Sequence, residues 1–173
     1  TAAANLLGRS TENLLDPTVP VWCVLDDLSG ARSDDGAASA QGRRAPVLAV
    51  GVVEHGDAVV VAGESASAAL RDLGLDAAEL VAAHTPSASA GSVSTVPLVS
   101  SAKDGFGRVL LAGLGKGSAD DVRTAAAAVG RLVRDVETLV VGFGAGAEGA
   151  LVEGVTLGSW SAPAWRESGP VRP

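Results

Sequence analysis

The segment Arg108-Val-Leu-Leu-Ala-Gly-Leu-Gly-Lys-Gly-Ser118 constrains this chain more than any other. An aliphatic run ends in a glycine-rich turn. The turn leads into Ala119–Val136, where Val122, Ala126, Val129 and Val133 keep helical spacing. Ser118 or Asp120 can cap that helix. The order then repeats, with a strand over Thr138–Phe143 and a helix over Ala147–Trp160. Two strands joined through a helix must pair in parallel, with the helices packed on the sheet. The fold class is therefore α/β.

Upstream, the pattern adds strands to this unit. Val19–Leu25, Pro46–Val53 and Ala58–Ala62 are β-branched and apolar. The spacer Glu54-His-Gly-Asp57 holds a turn-forming Gly-Asp pair, which predicts a hairpin. Continuous apolar runs predict strands covered on both faces. Ser65–Asp72 and Asp76–Ala83 are short helical candidates, and Asp76 with Glu79 makes a capping-box-like pair. Val93–Val99 is a strand that Pro97 restricts to a sheet edge. Residues 1–18 form an arm or a short helix around Glu12–Leu15, and Asp26–Arg44 reads as a long flexible loop.

Composition removes several function classes. The net charge is −7, and the lysines are Lys103 and Lys116, so a nucleic-acid backbone is repelled overall. A DNA-binding reading would rest on Arg123, Arg131 and Arg134 along one helix, against that acid excess. Aromatic residues make up 3% of the chain, leaving few platforms for stacking a base or sugar. The single cysteine, Cys23, sits in an apolar run and reads as a buried, inert thiol. No apolar stretch is long enough to span a membrane, and no signal-like N-terminus is present, so the expectation is a cytoplasmic protein. The chain contains no methionine, so residue 1 is not a translation start.

The candidate chemistry lies in two glycine turns. Gly113-Leu-Gly-Lys-Gly117 is not a nucleotide-triphosphate loop. Leu110 stands where the first glycine of such a loop belongs, and Gly117 replaces the magnesium-binding hydroxyl residue. What remains is a tight structural turn or, as an alternative, an anion cradle of backbone N–H groups. Gly144-Ala-Gly-Ala-Glu-Gly149 matches G-x-G-x-x-G between a strand and a helix, but no returning strand follows to carry a ribose-binding acid. Gly113, Gly115, Gly117, Gly144, Gly146 and Gly149 are thus the candidate ligand-binding residues of the alternative reading. The acidic pairs Asp26-Asp27, Asp34-Asp35 and Asp120-Asp121 are sequence neighbours whose side chains diverge, which suits solvent or a helix N-terminus better than a metal. His55 and His84 lack zinc-site spacing, and Ser29, Ser100 and Ser101 lack a nucleophile-elbow context. Trp160 and Trp165, at the exit of the last helix, are candidates either for covering this domain's own sheet or for interdomain contact. Pro163 stops the helix between them.

From about Pro46 to Trp165 the chain resembles the N-terminal domain of the leucyl aminopeptidase (M17) family. The matching pieces are the Val47–Val53 strand, Val109–Lys116, the alanine-rich helix with Arg123, Ala147-Glu-Gly-Ala-Leu151, and Leu157-Gly-Ser-Trp160 with a second aromatic at Trp165. Ala162 replaces the family's phenylalanine between those aromatics, and Glu153–Thr156 reads like an insertion. The resemblance implies a macro-domain-like mixed sheet flanked by helices on both faces. It divides the chain into an arm, first strand and loop (1–45), the macro-like domain (46–160) and the start of a linker (161–173). It further implies a hexameric parent enzyme with two divalent ions, zinc or manganese type, in a catalytic C-terminal domain. The family's catalytic and metal-binding motifs have no counterpart here, so the resemblance assigns this chain no catalytic residue, no metal ligand and no cofactor. The expected role is packing against its own catalytic domain and within the oligomer. The alternative is a stand-alone macro-like module for an ADP-ribose-type or nucleotide ligand.

Overall fold

The computed structural model describes residues 45–98 and 106–160, apart from 135, 137 and 145, together with the backbone of residues 21–24. The expected arm, the expected loop over 26–44, the side chain of Cys23 and Trp165 lie outside the described residues. Chain order is β1 (Val21–Val24), β2 (Val47–His55), β3 (Ala58–Val61), α1 (Glu64–Asp72), α2 (Ala77–His84), β4 (Val93–Pro97), β5 (Arg108–Gly113), α3 (Ala119–Leu132), β6 (Thr138–Gly142) and α4 (Glu148–Ser159).

Among the described residues the strands form one mixed sheet in the order β1-β6-β2-β5-β4, with β3 also paired to β2. The pairs β1/β6, β6/β2 and β2/β5 are parallel, as the strand–helix alternation requires. β4 runs antiparallel to β5 at the sheet edge, where Pro97 does not interrupt a central ladder. β2 outlasts its parallel neighbours and turns through Gly56 (φ 62°) into β3, completing the expected hairpin. The Val52 carbonyl accepts from the Leu114 amide on the β5 side, whereas the Gly51 carbonyl accepts from Ala62. Successive carbonyls of a strand point to opposite sides, so β3 extends the sheet on the β6 side.

Strand alternation sorts the core into two layers. Val47, Ala49, Leu110, Ala112, Leu139 and Val141 pack with Val122, Ala126 and Val129 of α3 and with Leu151 and Val155 of α4. Leu48, Val50, Val52, Val109, Leu111 and Val140 face α1 and α2 through Ala66, Leu70, Leu80 and Val81. A sheet buried on both faces by helices accounts for the near-continuous apolar reading of β2, β5 and β6. β3 alternates exposed and half-buried residues instead, because one face alone is covered, where Val59 and Val61 pack against the α1 and α2 layer.

The helix starts follow local chemistry. Asp76 accepts from the amides of Ala78 and Glu79 at the start of α2. Ser118 rather than Asp120 caps α3, accepting from the Asp121 amide. That helix ends at Leu132, four residues before the end its apolar spacing predicts. Val133 and Val136 are both buried and so extend the helical pattern, but they serve the turn that carries the chain back to β6. The Arg134 guanidinium holds this turn by donating to the Gly158 carbonyl at 3.1 Å. No helix among the described residues is long and apolar enough to cross a membrane.

Candidate functional site

Both candidate glycine turns lie at the carboxyl edge of the parallel strands, where open α/β sheets most often bind ligands. One follows β5 and opens α3; the other follows β6 and opens α4. Gly63, before α1, joins them at this edge: a Cβ placed on it would come within 3.3 Å of the Gly144 Cα.

The turn after β5 is closed by its own chain. Its five amides all have acceptors: Gly113 donates to Ser92 O, Leu114 to Val52 O, Gly115 to Ala88 O, and Gly117 to Leu114 O. The remaining amide, that of Lys116, donates to the Asp121 carboxylate at 3.1 Å. A phosphate cradle needs free N–H groups, and here an incoming anion would have to displace a carbonyl or a carboxylate for each bond it made. Gly115 (φ 57°) and Gly117 (φ 73°) occupy left-handed conformations, the structural use of glycine weighed for this turn. The segment 85–92 is seated over the turn, bonded to it in both directions, since the Gly91 amide also donates to Gly113 O.

The turn after β6 is more open. Nothing would meet a Cβ on Gly144, Gly146 or Gly149 within 4 Å. Gly144 (φ 84°) and Gly146 (φ 100°) need glycine for backbone reasons. The Gly146 amide is nevertheless occupied, donating to Glu148 Oε1 at 2.8 Å. Each turn therefore carries a carboxylate of its own at the position where a bound anion would sit.

These contacts lower the acidity range of both carboxylates. Hydrogen bonding from Ser118, then from the Lys116 amide, holds Asp121 below the ordinary aspartate value. The Gly146 amide, then its own amide, does the same for Glu148. A carboxyl group depressed in the folded state contributes stability above its unfolded pKa and loses it as pH falls through the folded value. Removing the charge with Asp121→Asn should therefore lower stability at neutral pH and narrow the gap to the parent chain in acid. Urea denaturation at pH 7 and below pH 3 reads this directly. An equal stability difference at both pH values would show that the carboxylate charge contributes nothing.

The remaining candidates take other roles. Arg123 bridges α3 to α4, pairing with Asp120 and, at 2.8 Å, with Glu153. Glu153 foremost, then Asp120, raises its pKa further. Arg134 lies beyond the end of α3 and is bound to Gly158 O, so the three arginines do not form one free basic stripe. His55 and His84 are exposed, as expected of surface histidines. Among the described residues no group of three or more His, Cys, Asp or Glu could hold a metal ion. Trp160 is 66% exposed at the end of α4.

α3 and α4 pack backbone to backbone, a contact that single-sequence reading missed. Gly154 lies against the Arg123 carbonyl and the Ala126 methyl, Gly158 against the backbone of Ala127, and Gly130 against Val155 O and Ser159 N. Contacts rising together along both helices mean that the two run parallel, as successive crossovers demand. The available signal was the four-residue spacing of Gly154 and Gly158, opposite Ala126, Ala127 and Gly130. Glu153–Thr156 is thus an integral turn of one continuous helix, supplying an ion-pair partner, a contact glycine and the buried Val155.

A mixed sheet between helices, whose last helix ends in Leu157-Gly-Ser-Trp160, is what the M17 resemblance predicts. The model of the cytosol aminopeptidase family's N-terminal domain matches residues 49–168, which is more than half of the chain. The chain belongs to the cytosol aminopeptidase family. No curated protein sequence matches the chain. Within the cytosol aminopeptidase N-terminal domain, Gly158 now has a physical reason. It is the point where the last helix meets the backbone of the helix before it.

Proposed function

We propose that this chain is the non-catalytic N-terminal domain of a cytoplasmic, metal-dependent aminopeptidase. Residues 46–160 form the domain proper, with 161–173 beginning the linker to the catalytic half. Its role is to pack against that half and contribute to oligomer assembly, a hexamer in the parent enzyme. The observation that carries the reading is the family match over residues 49–168, which is to an N-terminal domain. The parent enzyme would use two divalent ions, zinc or manganese type, to release N-terminal amino acids. The described residues of this chain do not fit that metal pair. Asp121 and Glu148 are bound to backbone amides, Asp120 and Glu153 to Arg123, and no three donors converge. No catalytic step is therefore assigned to this chain, and nucleic acid and membrane are not among its proposed partners.

The test is turnover of a leucyl anilide with added manganese or zinc. The purified 173-residue chain should show none, and the longer polypeptide carrying the catalytic half should be active. Robust metal-dependent turnover by the short chain would overturn the reading.

A further inference from the structure

Among the described helices, α4 exposes more large apolar side chains than any other. Val152, Glu153, Thr156, Leu157 and Trp160 are exposed and spaced to form one stripe along the helix, and the exposed Glu148 and Gly149 lead into it from the first turn. Val152 is 49% exposed, Leu157 63% and Trp160 66%. The stripe's charges are Glu148, which accepts from the Gly146 amide, and Glu153, which is paired with Arg123. Exposed positions of α1 include Glu64, Arg71 and Asp72, those of α3 include Asp120 and Arg131, and those of α2 are small alanines beside Glu79 and His84. On a chain of net charge −7, a stripe with three large exposed apolar side chains, and with both its carboxylates engaged by neighbours, is a local departure that marks an interaction surface. Leu132, 47% exposed at the end of α3, lies at the same end of the helix pair as Trp160, since Gly130 packs against Ser159.

We propose that this stripe is the docking surface for the catalytic half of the same polypeptide, an inference that rests on the function proposed above. Two observations select that occupant. Trp160, the last described residue, stands at one end of the stripe, and the matched family domain is an N-terminal one, so a catalytic half that follows it is tethered from that end. Tethering raises the effective concentration, into the millimolar range for short flexible links, so a small patch is sufficient. A second copy of the chain has no such help, and three partly exposed side chains fall well short of the ~800 Å² per partner of a stable complex. The matching surface on the catalytic half is accordingly apolar, with a recess for the Trp160 indole and no charge opposite Leu157.

The experiment is hydroxyl-radical footprinting of the full-length polypeptide, with its aminopeptidase activity measured on the same sample. Trp160 and Leu157 should be oxidised several-fold more slowly than their exposure in the separate domain implies, while Val60, on β3, reacts normally. Leu157→Asp, at a solvent-facing position, should raise Trp160 labelling several-fold and leave Val60 unchanged. Rapid labelling of Trp160 and Leu157 in an active enzyme would overturn the docking surface and leave the proposed function standing. Protection that disappears on dilution would overturn it in favour of self-association. A full-length polypeptide with no aminopeptidase activity would remove the proposed function itself, and this inference with it.

Discussion

Gly158→Ala is expected to lower the melting temperature of the domain by more than about 10 °C, from a loss on the order of 3 kcal/mol. The added methyl would meet the Ala127 Cα at 2.7 Å and its carbonyl carbon at 2.8 Å, and would overlap the carbonyl oxygen itself. Those atoms belong to the middle of α3 and cannot rotate away as a side-chain tip could. The two helices must separate instead, which opens a gap where Gly154 rests on the Ala126 methyl and Gly130 on Val155 O. Separation also strains the Arg134 bond to Gly158 O that holds the turn into β6. Gly149→Ala supplies the contrast within the same helix. Nothing lies within 4 Å of a Cβ there, and alanine favours a helix over glycine by up to about 1 kcal/mol. Gly149→Ala should therefore match or slightly exceed the parent chain in urea midpoint. Equal midpoints for Gly158→Ala and the parent would refute the close helix contact.

That contrast shows why part of the fold was legible in the sequence and part was not. The strand–turn–helix over Arg108–Leu132, the Asp76 cap, the hairpin at Gly56 and the edge position forced by Pro97 all depend on local chemistry. Such features are written within a few consecutive residues. Gly154 and Gly158 are different, because a glycine inside a helix reads as a weakness until the backbone it faces is known. The same limit moved the end of α3, where Val133 and Val136 satisfy helical spacing while belonging to the return toward β6. At the candidate site the motif selected six glycines at once. Only the tertiary contacts divide them into Gly113, Gly115 and Gly117, in a turn whose amides are all engaged, and Gly144, Gly146 and Gly149, which face open space. The apolar positions Val152 and Leu157 were equally hidden, since an amphipathic stripe facing outward looks the same in sequence as one facing the core.

Gly113→Ala should release the segment 85–92 from the end of β5, at a stability loss of about 3 kcal/mol. A Cβ at this position would fall 2.6 Å from both Ser87 O and Ser92 Oγ and would overlap Ser89 O. The backbone of the segment would have to lift. Three hydrogen bonds join it to the turn: Gly113 to Ser92 O, Gly91 to Gly113 O and Gly115 to Ala88 O. At about 1 kcal/mol net for each, their loss sets the estimate. Gly117→Ala tests whether the effect is merely a penalty for losing a glycine. Gly117 has a φ of 73° but open space around it, so its alanine variant bears only the left-handed conformational cost of about 1–2 kcal/mol. Amide hydrogen exchange locates the damage. In Gly113→Ala the Gly91 and Gly115 amides should lose protection, while amides in the middle of α3 and α4 keep theirs. Retained protection at Gly91 and Gly115, with an unchanged urea midpoint, would mean that segment 85–92 is not seated on the turn. Fast exchange of the Gly113 and Gly115 amides in the parent chain itself would instead show them to be free donors, which would restore the anion-binding alternative for this edge of the sheet.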